Sequence, residues 1–245
     1  GTVLNLLMNK LIKSLIAILF PEYCVLCGSF GSLLCTHCLL NKFTYLALPY
    51  CPKCNGKLRG RETVHRLCRR SSSLDGIVSI FKFEKNIKKV IWSYKYQGCY
   101  LLASKLRELI KCRLTTLNWN IDYLVPLPSS QRKINQRGYD HIYLLVPEIA
   151  IKKWQGLLKK QNNKSQARLT KQNRFFNSLQ NFVVENNQDI IGKTILLIDD
   201  VVTTGNTLQS AALTLKQAGA NTVFALTIAK DIRDFAPRGV EYIAK

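Results

Sequence analysis

The spacing of apolar positions changes several times along the chain, and each change predicts an element. Residues 77–83 (IVSIFKF) alternate, the pattern of a strand, and residues 86–96 carry apolar side chains at helical spacing among lysines. A further helix is predicted over about 100–113 and a strand over 121–128 (IDYLVPLP), closed by Pro126 and Pro128. Residues 139–158 read as a helical crossover, and 161–180 are polar and weakly periodic, the character of a mobile loop or lid. Strands at 182–184, 194–200 and 222–229, with a helix after the second, complete an alternating pattern that predicts an α/β fold on a parallel sheet. Near the start, residues 3–20 are apolar but interrupted by Lys10 and Lys13, which predicts an amphipathic helix packed on the protein or on a membrane surface. No stretch reaches the roughly 18 apolar residues that span a bilayer. The start also lacks the small-residue cleavage site of an export signal. A cytoplasmic protein without a transmembrane segment is the expectation.

The run ILLIDDVVTTGNT, from Ile195 to Thr207, carries the chemistry. Its first half has no polar alternation and reads as a strand buried on both faces. It then meets two acids, Asp199 and Asp200, and a loop of Val201, Thr203, Thr204, Gly205, Asn206 and Thr207 that opens a helix stopping at Gly219. A loop feeding a helix N-terminus offers free amides and a positive dipole end to a phosphate. Acids beside that phosphate would repel it unless they engage hydroxyls or a divalent cation, and a ribose phosphate with Mg²⁺ meets both conditions. A Walker A nucleotide loop is excluded, because Asn206 and Thr207 follow Gly205 where Lys-Ser/Thr is required.

A second anion loop is expected after the 121–128 strand, where Arg132, Lys133, Arg137 and Gly138 cluster; guanidinium groups with backbone turns can hold a pyrophosphate. Ligands of parallel sheets collect at the carboxyl ends of the strands, so both loops should share one edge. Charge widens the picture. Thirty-six Lys and Arg face 15 Asp and Glu, a formal net charge of +21 spread along the chain, which points to a polyanion partner. Trp92, Tyr94, Tyr96 and Tyr100 lie among lysines, the composition of a stacking track for single-stranded DNA.

Seven of the nine cysteines fall between positions 24 and 68. Cys24-x-x-Cys27, Cys35-x-x-Cys38 and Cys51-x-x-Cys54 are knuckles of zinc-site spacing, and His65-x-x-Cys68 keeps the same gap with an imidazole in place of one thiolate. Repeated pairs of this kind in a reducing compartment favour metal over disulfides. One or two structural Zn²⁺ ions are expected, the latter held by Cys24, Cys27, Cys35 and Cys38 and by Cys51, Cys54, His65 and Cys68. The basic residues between these knuckles, such as Lys53, Arg59 and Arg66, are placed to touch phosphates. Cys99 and Cys112 have no partner at ligand spacing and are expected in the core. These readings divide the chain into a helix over 1–20, a zinc ribbon over 21–72 and a larger domain over 73–245.

The acid pair and its loop resemble the 5-phosphoribosyl-1-pyrophosphate (PRPP) signature of type I phosphoribosyltransferases. The ordered set of knuckles, KYQG at 95–98, VPLP…RKINQRGY, QARLTKQNRFFNSLQNF and LLIDDVVTTGNTL resembles the ComF competence family over nearly the whole chain. That resemblance implies a zinc ribbon joined to a phosphoribosyltransferase-like domain and a part in DNA uptake during natural transformation. Its partners would be single-stranded DNA, PRPP with Mg²⁺, and other DNA-uptake proteins at the inner membrane. By the same resemblance Asp199 and Asp200 address the ribose hydroxyls and Mg²⁺, and Thr203 to Thr207 the 5-phosphate. Arg132, Arg137 and Gly138 serve the pyrophosphate, and Gln166, Arg174 and Asn177 belong to the family's mobile loop. The alternative is an active phosphoribosyltransferase, for which the sequence reveals no acceptor pocket. The family's Arg-Gly-Phe-Asn-Gln stands here as Arg137-Gly138-Tyr139-Asp140-His141, placing an acid and an imidazole beside the anion loop.

Overall fold

The computed structural model describes residues 21–46, 49–60, 62–159 and 181–232. Its centre is a parallel sheet in which β6 (Thr194–Val202) lies between β7 (Thr222–Lys230) and β2 (Tyr123–Pro126). β1 (Gly76–Lys82) lies beyond β7, and β3 (Lys152–Lys153) beyond β2. Ile195, Leu196, Leu197 and Ile198 are fully buried, as an apolar run without alternation requires of a central strand.

Helix α2 (Lys85–Tyr96) starts just past the carboxyl end of β1 and reaches Asp200 of β6 with Lys95, so it crosses above β7 along the edge where ligands of such sheets bind. It buries Ile87, Val90, Ile91 and Tyr94 and leaves Trp92 and Tyr96 exposed. Helix α3 (Leu102–Thr115) packs on β1 and β7. Helix α4 (Gln131–Arg137) follows β2, and α5 (Asn206–Gln217) follows β6 and ends before Gly219 at φ 104°.

Two expectations fail here. Residues 139–158 are not a helical crossover: only a 3₁₀ turn over Tyr143–Leu145 forms, and the chain then becomes β3 and the short β4 (Leu157–Lys159). Pro147 removes an amide donor just where a helix would have to continue. The 182–184 strand exists as β5 (Phe182–Val184), but it pairs antiparallel with β4 in a separate ribbon and does not join the parallel sheet. The 1–20 helix and the 161–180 loop, with Gln166, Arg174 and Asn177, lie outside the described residues.

The cysteine-rich segment has a short helix, α1 (Thr36–Asn41), and isolated bridges, Tyr23 to Phe30 and Tyr50 to Lys57. Cys24, Leu34 and Cys38 are buried within the main hydrophobic core. The second half has a small core of its own, Cys51, Leu58 and Val64. It docks on the larger domain through polar contacts. Gln209 of α5 donates to the Pro52 carbonyl (3.0 Å) and accepts from the amides of Ser73 (2.7 Å) and Leu74 (3.2 Å). Lys230, at the end of β7, donates to Asn55 Oδ1 at 2.7 Å and lies over the Tyr50 ring.

Candidate functional site

Strand β6 delivers Asp199 and Asp200 to the carboxyl edge, and the chain then turns through exposed Thr203 and Thr204 into α5. Val202 and Leu208, both buried, pin the loop at its two ends. Gly205 is the hinge: at φ 77° and ψ −1° it occupies the left-handed region that a β-branched residue resists. No side chain caps α5, so its first-turn amides face outward from the loop beside the exposed Asn206 and Thr207.

The two acids have opposite surroundings. Burial and the neighbouring charge of Asp200 raise the Asp199 pKa well above the usual carboxylate range. Burial acts the same way on Asp200, but the His141 hydrogen bond and the charge of Lys95 prevail and hold it at about 2. Asp200 is ion-paired with Lys95, and His141 Nε2 lies 3.3 Å from the same oxygen. Arg137 Nη1 sits 2.8 Å from His141 Nδ1. A guanidinium only donates, so Nδ1 accepts from Arg137 while Nε2 faces Asp200. His141 thus links the arginine of one anion loop to the acid pair of the other. Its position is fixed from behind by the hydroxyl of the buried Tyr94, which donates to the His141 carbonyl at 2.5 Å.

Asp140 is engaged by the backbone. Its Oδ1 accepts from the amides of Ile142 (3.0 Å) and Tyr143 (3.2 Å), capping the 3₁₀ turn that follows. Gly138 ends α4 in the left-handed conformation. Arg137 lies 5.1 Å from the centroid of the Tyr96 ring and, with Lys95, Lys133 and Gln136, lines a chamber of about 250 Å³. Arg132 is exposed and outside that lining. Of the KYQG residues, Tyr96 alone has a role assigned from the sequence, in the stacking track. Here Lys95 neutralises Asp200, Tyr96 supports Arg137, and Gly98 lines the chamber. Tyr94 is correspondingly not a stacking platform, being fully buried, whereas Trp92, Tyr96 and Tyr100 are more than half exposed.

The eight predicted metal ligands meet in two groups, Cys24/Cys27/Cys35/Cys38 and Cys51/Cys54/His65/Cys68, with the ligand atoms of each group within 4.8 Å of one another. The sulfurs of Cys27 and Cys35 are 3.7 Å apart, as expected of two thiolates on a tetrahedral ion with Zn–S bonds of about 2.3 Å. Hydrogen bonds with Ser29 lower Cys27 to about 6, while burial and the other thiols push Cys38 up to about 12. Sulfurs crowded in this way cannot all ionise without a cation among them. In the second group His65 Nδ1 is 3.1 Å from Cys54 Sγ, and Nε2 is 3.1 Å from the Lys57 carbonyl. Donation to that carbonyl leaves Nδ1 free as a ligand. Gly56 is part of the design, since a Cβ there would lie 2.9 Å from His65 Cε1. The donor sets fit zinc. Cys112, expected in the core, is exposed, and Cys99 is half-buried.

The phosphoribosyl transferase domain family model matches residues 101–241, and the chain belongs to that family. It is a parallel-sheet phosphoribosyltransferase-like protein with a small cysteine-rich N-terminal unit. Its curated relatives bear out the ComF resemblance. Competence protein ComFC of Bacillus subtilis (strain 168) is 27% identical over 181 residues, 69% of this chain and 72% of that protein. Competence protein ComFC of Streptococcus pneumoniae (strain R6) is 29% identical over 156 residues, 62% of this chain and 67% of that protein. Among solved structures, glutamine PRPP amidotransferase of B. subtilis, complexed with ADP and GMP, is 17% identical with a TM-score of 0.36. That match covers 51% of this chain and 26% of the amidotransferase chain. Among the described residues no helix is long and apolar enough to cross a membrane.

Proposed function

We propose that this chain is a ComF-type competence protein that binds PRPP at the carboxyl edge of its sheet and handles single-stranded DNA during uptake on the cytoplasmic side of the membrane. The observation that carries the reading is the meeting of the acid pair, the α5 loop and the Arg137–His141–Asp200–Lys95 chain on one edge. Thr203 to Thr207 would hold the 5-phosphate by amides and hydroxyls, and Asp199 and Asp200 the ribose hydroxyls. Arg137, Gly138 and Lys133 would attend the pyrophosphate, with Arg132 at the outer rim. Mg²⁺, bound with PRPP, would supply positive charge to the pyrophosphate oxygens. Lys95 already compensates one acid, so the metal requirement should be weaker than for two bare carboxylates. DNA would be attracted by the +21 net charge, with affinity falling steeply as salt rises. Other DNA-uptake proteins at the inner membrane are the partners this role implies. The alternative is transfer of phosphoribose to an acceptor as pyrophosphate leaves the anomeric carbon.

Titration with PRPP and Mg²⁺ tests the reading on single substitutions. Asp199→Asn and Asp200→Asn should both weaken PRPP binding, and their effects on the free protein should have opposite signs. Asp199 has a raised folded pKa, so its ionised form costs stability at neutral pH, and the amide should raise Tm slightly. Asp200 has a depressed folded pKa; its contribution is present above the ordinary value of 3.8 and is lost as pH falls through about 2. Asp200→Asn strands Lys95 and should cost about 3 kcal/mol. PRPP binding undiminished in both variants would remove the acid pair from the site.

A further inference from the structure

Both ends of the phosphate loop are tied to one cysteine knuckle. Residues 203–205 run between Val202, the last residue of β6, and the first turn of α5. At the β6 end Val202 pairs with Lys230 of β7, and its carbonyl accepts from the Asp231 amide at 2.8 Å. Lys230 is 2% exposed, and its ammonium is turned to Asn55, the residue after Cys54. At the α5 end the Gln209 backbone amide donates to the Gly205 carbonyl at 2.9 Å. The Gln209 side chain donates to the Pro52 carbonyl and the Ser72 hydroxyl (3.1 Å) and accepts from the amides of Ser73 and Leu74. Both donors and both acceptor positions are thereby used, so this amide is a fastening with no capacity left for a ligand. Between the two anchors the Pro52 carbonyl stands 3.8 Å from where a Cβ on Gly205 would be.

The knuckle itself is a tight turn. Asn55, in the left-handed region at φ 61°, donates to the Cys51 carbonyl at 3.0 Å, and Cys51 donates to the Gly56 carbonyl at 2.9 Å. Its own core is Cys51, Leu58 and Val64. Three residues are too few to order such a unit, so the shape of the knuckle depends on the ion that Cys51, Cys54, His65 and Cys68 are fitted to hold. We infer that the second cysteine group and the phosphate loop are reciprocally linked: metal in the group raises the affinity of the loop for a phosphate monoester, and the bound ester raises the affinity of the group for metal. With the knuckle in place the loop is already ordered, and a ligand arriving there meets a smaller entropy cost. Without it Gly205 is free to leave its turn, and apparent affinity falls with the fraction of loops that keep the competent shape. The first cysteine group is built into the main core and should not respond. The inference rests on the PRPP reading for where the phosphate sits.

Zinc competition against a chromophoric chelator at equilibrium, on the zinc-loaded full chain with and without saturating ribose 5-phosphate, tests the link. The ester should raise the apparent zinc affinity of the second group about fivefold and leave the first unchanged. Cys68→Ser identifies which metal step belongs to the second group. Calorimetry after graded chelation of that group alone should show ribose 5-phosphate bound about fivefold more weakly, and reciprocity requires the two factors to agree. Lys230→Met and Gln209→Leu, both outside the ligand set, separate a link through these contacts from general stabilisation. Each should keep both metal steps and lose the response to the ester. A second-group zinc affinity unmoved by ester bound to the parent, or a response undiminished in both variants, overturns the inference. The PRPP reading fails differently: ribose 5-phosphate that binds and tightens the metal group while PRPP does not bind would leave the link standing without it. Ribose 5-phosphate that does not bind the parent overturns both.

Discussion

The first cysteine cluster is continuous with the main core, whereas the second rests on the ligand edge through polar contacts. Cys24, Cys38 and Leu34 are buried among the apolar side chains that cover the sheet. Cys51 and its neighbours form a core of three residues and touch the larger domain through Gln209, Lys230, Pro52 and Asn55. Pro52 is also beside the anion loop, its carbonyl 3.8 Å from where a Cβ on Gly205 would stand. Equal ligand spacing therefore hides unequal duties. One cluster closes the core, and the other braces the loop proposed to take the phosphate.

The strongest way to break this contrast is to remove one ligand from each cluster. Cys38→Ser should release one zinc and lower the Tm of the whole chain by about 10 °C, because the lesion opens the main core. Cys68→Ser should release the other zinc and loosen residues 50–72 while the main transition moves by only a few degrees. Equal losses in calorimetry would erase the distinction. A smaller effect is expected from Gln209→Leu, which keeps both metal groups but strands the Pro52 carbonyl and the amides of Ser73 and Leu74, at about 1–3 kcal/mol. Hydrogen exchange should quicken across 50–58 and 72–74; unchanged exchange would mean that these bonds do not hold the dock. The smallest effect belongs to His65→Cys, which keeps a four-ligand group and gives up only the bond to Lys57. Zinc content should be retained there and lost in His65→Ala, and metal analysis showing equal retention would remove His65 from the ligand set.

Much of the edge was legible because its signals are local. The apolar run before Asp199, Gly205 at the turn and the pairs of cysteines each act within a few residues, and the elements at 76–82, 85–96 and 222–230 follow their periods closely. The misreadings are tertiary. Residues 139–158 have enough apolar character for a helix, but Asp140 starts only a single turn and Pro147 prevents its extension. The 182–184 strand was assigned to the parallel sheet because sequence order does not reveal a pairing partner. Lys95 and His141 could not be assigned to Asp200 for the same reason: the three residues are far apart in sequence and meet only because α2 crosses the edge. Gly56 reads in the sequence as flexibility around a knuckle, whereas its missing Cβ marks the close approach of His65.

The segment between the two cysteine clusters has a consequence for the sheet as a template. Lys82 donates to the Thr44 carbonyl, Leu46 donates to the Ile80 carbonyl, and Tyr45 bridges Phe81 antiparallel, so the carboxyl half of the outer side of β1 is already paired. At the opposite margin β3 is only two residues long. Among the described residues, neither side offers a long row of free amides and carbonyls on which another chain could grow a strand. Contact with neighbours is thereby left to side-chain surfaces, and the strap owes its place to the cluster that precedes it. A chain that loses the first cysteine cluster loses more than a staple, because the peeled strap would uncover a sticky margin and turn misfolding into self-association.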